Sequence, residues 1–84
     1  MLAFKKDGVT LFGFNPDKIV DISPHTRTID GTPSYRIVIF GTEESQYTIK
    51  FKVKEEATAF MDNLILCCNQ THTNYIVNIG NGEL

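Results

Sequence analysis

The sequence YRIVIFGTEESQYTIKFKV, which occupies residues 35–53, decides the fold. Its second half alternates between an apolar and a polar face, which is the period of a half-buried β-strand. The apolar face carries Tyr47, Ile49, Phe51 and Val53. The segment Gly41–Ser45 separates this half from an equally apolar run. The stretch therefore predicts two paired strands, Tyr35–Phe40 and Gln46–Val53.

A helical pattern follows directly, from Lys54 to Asn69. Apolar residues recur there at spacings of three and four, which places them on one side of an α-helix. They are Ala57, Phe60, Met61, Leu64, Ile65 and Cys68. Leu66 and Cys67 fall beside this stripe. We expect one amphipathic helix that covers the sheet.

Four further segments have the composition of short strands, and turn residues separate them. Asp7-Gly8 is a two-residue hairpin connection between the first two of them. The segments are Leu2–Lys6, Val9–Phe14, Lys18–Ile22 and Asn74–Ile79. The sequence thus predicts a single α+β domain over residues 1–84. Its antiparallel sheet is a meander of five to six short strands, covered by one C-terminal helix.

Residues 23–34 form a polar segment that contains two prolines and a glycine. The segment is either a long loop or a frayed hairpin that turns at Asp30-Gly31. His25, Arg27 and Thr28 make it a candidate binding loop. Arginine offers a charged fork of donors, threonine a hydroxyl, and histidine a charge that can change near neutral pH. An anionic small molecule or an acidic peptide fits this chemistry.

The two strands of residues 35–53 also have a second face, which alternation turns away from the core. It carries Arg36, Val38 and Phe40 on the first strand and Lys50 and Lys52 on the second. Basic side chains around an aromatic ring can hold phosphates and stack bases, which predicts a nucleic-acid-binding module. Val38 and Phe40, with Leu66 and Cys67 on the helix flank, predict instead a protein interface, including one with a second copy.

No catalytic motif connects the reactive side chains of this sequence. The only imidazoles are His25 and His72, and neither lies near a nucleophile elbow or a phosphate-binding loop. Cys68 and His72 are four residues apart, but a closed zinc site needs four ligands. We expect no enzymatic activity, no cofactor and no metal.

The composition also bears on compartment and partners. The two cysteines, Cys67 and Cys68, are adjacent, which is a poor geometry for a bridge between distant segments and fits a reducing compartment. The sequence shows neither a signal-peptide pattern nor an apolar run that would span a bilayer. We therefore expect a cytoplasmic protein without a membrane partner. A net charge of −2 supplies no global attraction toward nucleic acid.

The segment Asn15-Pro-Asp-Lys-Ile-Val-Asp-Ile22 resembles the small flagellar and swarming-motility proteins of the FlbD/SwrD type. In that family a short strand, a glycine turn and a second strand precede an Asn-Pro-Asp-x-Ile-x-x-Ile segment, and a hairpin and a helix follow. The similar order covers about residues 2 to 66 here. The resemblance implies a small cytoplasmic regulatory or adaptor protein without catalytic residues, and it assigns no site residues.

Together these observations predict a small non-catalytic binding or regulatory protein, an adaptor or inhibitor, that acts through its sheet surface as a homo-oligomer. One alternative is a nucleic-acid-binding module that uses the basic strand face. The other is a module that binds or sequesters a small anionic ligand with residues 23–34.

Overall fold

The computed structural model describes residues 1–69 and 74–84, which fold into two three-stranded sheets and one helix. Sheet A has the order β2-β1-β6 and sheet B the order β3-β4-β5. The elements are β1 (Leu2–Lys6), β2 (Val9–Phe14), β3 (Ile19–Ile29), β4 (Thr32–Gly41), β5 (Gln46–Phe51), α1 (Lys54–Cys68) and β6 (Tyr75–Asn78). The predicted α+β class is confirmed. The predicted single sheet of five to six strands is wrong.

Sheet A departs from a meander because its third strand arrives from the far end of the chain. β1 and β2 form the predicted hairpin, with positive φ at both Asp7 and Gly8. β6 then pairs with β1 in parallel, after the chain has passed through sheet B and α1. A parallel pair requires such a long crossover. The C-terminal segment also adds one backbone bridge to sheet B, in which Lys50 and Glu83 exchange hydrogen bonds of 2.7 and 2.8 Å.

The polar segment 23–34 is a regular hairpin, so the long-loop alternative is wrong. Asp30 and Gly31 both have positive φ and make its two-residue turn. Thr26 pairs with Tyr35, and Tyr35 pairs with the last residue of β5, Phe51. Beyond that point the two strands pair only with each other. We call this protruding ribbon, residues 27–34, the arm.

Stacked aromatic rings join the two sheets and the helix. The Phe12 ring lies between the rings of Tyr47 and Phe4, at centroid distances of 4.2 and 4.5 Å. Phe4 also contacts Phe60 of α1 at 6.3 Å, and Phe60 contacts Phe51 at 5.3 Å. Stacked and tilted pairs at such distances stabilise a core beyond the burial of their area. Tyr47 thus reaches the core, as predicted, although its side chain remains partly exposed.

Helix α1 is rotated slightly from its predicted orientation. Its buried residues are Ala57, Phe60, Leu64 and Cys67. Ile65, which we placed on the stripe, is 41% exposed, whereas Cys67, which we placed beside it, is buried. Residues 64–68 are all apolar, so the pattern leaves the rotation of the last turn undetermined. No helix within residues 1–69 and 74–84 is long and apolar enough to cross a bilayer.

The start of β3 and the end of β5 are two of the strand boundaries that differ from prediction. Lys18 does not begin β3 but ends a one-turn 3₁₀ helix, Pro16–Lys18. Asn15 caps that turn, since its side-chain oxygen accepts from the Asp17 amide at 3.0 Å. At the other boundary, β5 ends at Phe51 rather than at Val53.

Replacement of Phe12 by alanine tests the aromatic stack. Phe12→Ala removes the ring between the sheets, so we expect the free energy of unfolding to fall by about 2–3 kcal/mol. Urea denaturation followed by circular dichroism measures it. Val9→Ala is the control, because Val9 lies on the same strand and is 62% exposed. A loss of less than about 1 kcal/mol for Phe12→Ala would show that the stack does not join the sheets.

Candidate functional site

The candidate site is the outer face of sheet B, which points away from the core. β4 defines it, because Ile37 and Ile39 belong to the core cluster while Val38 does not. The strand register places the neighbours of Val38 on the same face. This outer face consists of Asp21, Ser23, His25 and Arg27 on β3, Arg36, Val38 and Phe40 on β4, and Gln46, Thr48 and Lys50 on β5.

Three basic side chains cross the outer face in one line. His25 lies directly opposite Arg36, and Arg36 lies directly opposite Lys50. We call these three residues the basic row. Directly opposed residues have Cα atoms about 4.5–5.5 Å apart, and like charges in such positions destabilise a sheet. The fold therefore holds positive charges together at a cost that an anion bound between them would offset.

Arg36 is the centre of the row and its least exposed member. Its Nε atom is buried, and within the described part of the chain no acceptor bonds to it. A buried donor without an acceptor costs about 1–3 kcal/mol. A guanidinium presents Nε–H and Nη–H as a planar fork that matches the two oxygens of a carboxylate or phosphate. An oxyanion on this face would neutralise the row, but it would reach the buried Nε only after the guanidinium turned outward.

The predicted apolar pair, Val38 and Phe40, continues the outer face away from the arm. Val38 lies between Ser23 and Thr48 and is only 7% exposed. Phe40 is half-buried and lies between Asp21 and Gln46. The face thus changes along β4 from basic to apolar, and an acidic side chain stands at its far end.

The structure separates several residues that we had grouped. Thr28 pairs with Pro33 and alternates to the opposite side of the arm from Arg27. Lys52 lies just beyond the end of β5, outside the basic row. Arg27 shares the side of the row and is opposite Ser34. Residues from two different predictions therefore lie on one surface. His25 comes from the predicted binding loop of residues 23–34, and Arg36 and Lys50 come from the predicted basic strand face.

The helix flank does not extend the apolar part of this face. Leu66 is 58% exposed, but α1 packs on the core side of sheet B. Cys67 is buried in the core cluster. These residues therefore cannot share one surface with Val38 and Phe40, as we had expected. Self-association itself stays a prediction.

The structure places Cys67 in the core cluster and leaves Cys68 partly buried beside it. Burial, and then the neighbouring Cys67, raise the pKa of the Cys68 thiol above its ordinary value. A raised pKa keeps the thiol protonated, and the thiolate is the form that attacks and binds metals. His72, the other half of the Cys68–His72 metal idea, lies outside the described residues.

Comparison with protein-family models, curated proteins and solved structures finds no match to this chain. The resemblance to FlbD/SwrD-type proteins therefore stays a prediction.

Stability measurements on an Arg36 variant test the energetic cost of the row. Arg36→Met keeps an unbranched stem but removes the charge and the buried donor, so we expect the free energy of unfolding to rise by about 0.5–1 kcal/mol. Arg27→Met is the matched control, because Arg27 is exposed and faces a serine. Its stability should change by less than about 0.5 kcal/mol. A fall of more than about 1 kcal/mol for Arg36→Met would mean that the guanidinium stabilises the fold.

Proposed function

We propose that this protein is a non-catalytic binding module, an adaptor or inhibitor, that holds an acidic segment of a protein partner on the outer face of sheet B. The observation that supports this most directly is the basic row itself, in which Arg36 lies directly opposite both His25 and Lys50. That arrangement favours the complex over the free protein, because a bound carboxylate offsets the repulsion between neighbouring basic side chains.

The spacing of the row suits an extended acidic segment. Alternate side chains of an extended chain lie on one side at intervals of about 7 Å. The three basic side chains of the row together span about 10 Å, given the distance between neighbouring strands. Two carboxylates of such a segment can therefore lie between the three basic side chains. Charge complementarity of this kind sets orientation and the rate of association.

The free edge of β3 is poorly suited to pair with an added strand, which favours binding of the partner on the outer face of sheet B. The backbone N–H and C=O of Lys50 bond to Glu83, on the side of β5 that faces away from β4. Lys50 and Arg36 are therefore a pair without mutual hydrogen bonds, and the N–H and C=O of Arg36 point to the other side, toward β3. His25, the partner of Arg36, directs its N–H and C=O toward β4, so its neighbour Pro24 has its nitrogen on the free edge of β3. A proline nitrogen carries no hydrogen and cannot donate there. Proline in this position blocks a continuous new strand. A partner is then recognised by side chains on the face.

A protein partner fits this surface better than nucleic acid does. Base stacking needs exposed rings, but five of the aromatic residues form the core network. Phe40, the aromatic residue of the outer face, is half-buried and opposite Asp21. The net charge of −2 adds no general attraction to phosphate backbones. Arginine beside apolar residues is typical of protein interfaces.

Self-association is a special case of this proposal. The connection between β4 and β5 carries Glu43 and Glu44, which are exposed and both have positive φ. Such a turn on a second copy is an acidic segment of the required kind. Native mass spectrometry separates the two cases, because a self-binding chain is an oligomer without any added peptide.

Binding of an acidic peptide tests the proposal. The probe is a fluorescein-labelled peptide of sixteen glutamates, followed by fluorescence anisotropy at low and physiological salt. We expect saturable binding that Arg36→Gln weakens by at least about tenfold, because hydrogen bonds to charged groups contribute about 1.5–3 kcal/mol. Lys18→Gln is the matched control, since it removes the same charge from an exposed turn outside the face. It should change the affinity by less than about twofold.

Three outcomes would contradict the proposal. The peptide could fail to bind the wild-type protein at low salt. Arg36→Gln and Lys18→Gln could weaken binding equally, which would mean that only net charge matters. An oligothymidylate of equal length could bind more tightly than the peptide, which would favour the nucleic-acid alternative. Circular dichroism of each variant confirms that it is folded.

A further inference from the structure

A small pocket lies beside the base of the arm, next to the basic row. Its volume is about 220 Å³. Drug-sized ligands occupy cavities of about 300–1,000 Å³, so this one suits a smaller molecule. Its walls come from the arm, the end of β5 and the C-terminal segment. The residues that matter for its chemistry are Ile29, Pro33, Lys50, Phe51, Lys52 and Glu83.

The pocket exists because neighbouring strands have unequal lengths. β5 ends at Phe51, whereas β4 reaches back to Thr32 at the tip of the hairpin. The end of β5 therefore leaves an open notch along the arm. The C-terminal segment forms the wall across this notch. There Gly82 lies so close to β5 that a Cβ on it would be 2.7 Å from Ile49 and 2.8 Å from Phe51.

A second contact fixes this wall. The Nζ of Lys6 donates to the Gly82 carbonyl at 2.7 Å, and Glu83 is paired with Lys50 through its backbone. The wall is thus attached to both sheets. A pocket with a fixed wall needs little reorganisation when it binds, which favours affinity for a small ligand.

The lining combines apolar walls with an excess of positive charge. Ile29 is 49% exposed although it is aliphatic, and it lines this pocket. Lys50 and Lys52 supply two positive charges against the one negative charge of Glu83. A ligand that complements this lining has an apolar body and a single anionic head.

We infer that the pocket beside the arm binds a small amphiphilic carboxylate, with its aliphatic chain against Ile29 and its head at Lys50 and Lys52. This site differs from the anion loop predicted from His25, Arg27 and Thr28, because those residues do not line the pocket. It does not include Arg36, the central residue of the proposed function. Lys50 is the residue that both sites share.

Titration with octanoate tests this inference. Isothermal titration calorimetry of the full chain should show saturable binding of octanoate. Octanol, which lacks the charge, and acetate, which lacks the chain, should both bind at least about fivefold more weakly. Lys52→Gln should weaken octanoate binding by about threefold or more, as expected for loss of one partly screened charge pair. Ile29→Ser should weaken it by a similar factor.

Matched variants keep the test independent of folding and of the proposed function. Lys18→Gln and Val20→Ser change an exposed lysine and an exposed aliphatic residue elsewhere and should leave octanoate binding unchanged. Arg36→Gln should also leave it unchanged while it weakens peptide binding by at least about tenfold. The inference is overturned if octanoate does not bind, if octanol binds equally well, or if Lys52→Gln and Ile29→Ser behave like their controls.

Discussion

The stack of Tyr47, Phe12 and Phe4 is the contact on which the rest of the structure depends. Tyr47 belongs to sheet B and the other two rings to sheet A, so this stack packs one sheet on the other. Phe60 extends the network to the helix. A chain of this size has a small core, in which a few aromatic contacts supply a large share of the stabilisation. No disulfide contributes, since both cysteines are free.

This packing determines which surface is left for binding. Sheet B turns one face to sheet A and α1, so the other face can carry charge without burying it in the core. On that face the hairpin and β5 bring His25, Arg36 and Lys50 into one line, although these residues are far apart in the sequence. Opposed basic side chains repel one another, so a row of this kind would favour an anion over a cation. The site is therefore a consequence of strand register.

The sequence was sufficient for the helix and for β1, β2 and the two strands of residues 35–53, because each has a clear period or turn signal. The pairing of His25 with Arg36 in the basic row also follows from the sequence. His25 and Arg36 are each five residues from the nearer residue of the Asp30-Gly31 turn, so a two-residue hairpin makes them partners. The division into two sheets was not predictable, because the parallel pairing of β6 with β1 is a long-range choice that no local pattern encodes. The burial of Cys67 and the pocket beside the arm depend likewise on tertiary packing.

The most direct test of the central claim is to map where an acidic peptide contacts the protein, by amide chemical-shift changes in a nitrogen-15-labelled sample. The account predicts that the largest changes fall on and around His25, Arg36 and Lys50. The outer face of sheet A, marked by Ala3, Gly13 and Ile76, should remain unaffected. Changes concentrated on sheet A or on α1, with none at Arg36, would contradict the assignment of the outer face of sheet B as the binding surface.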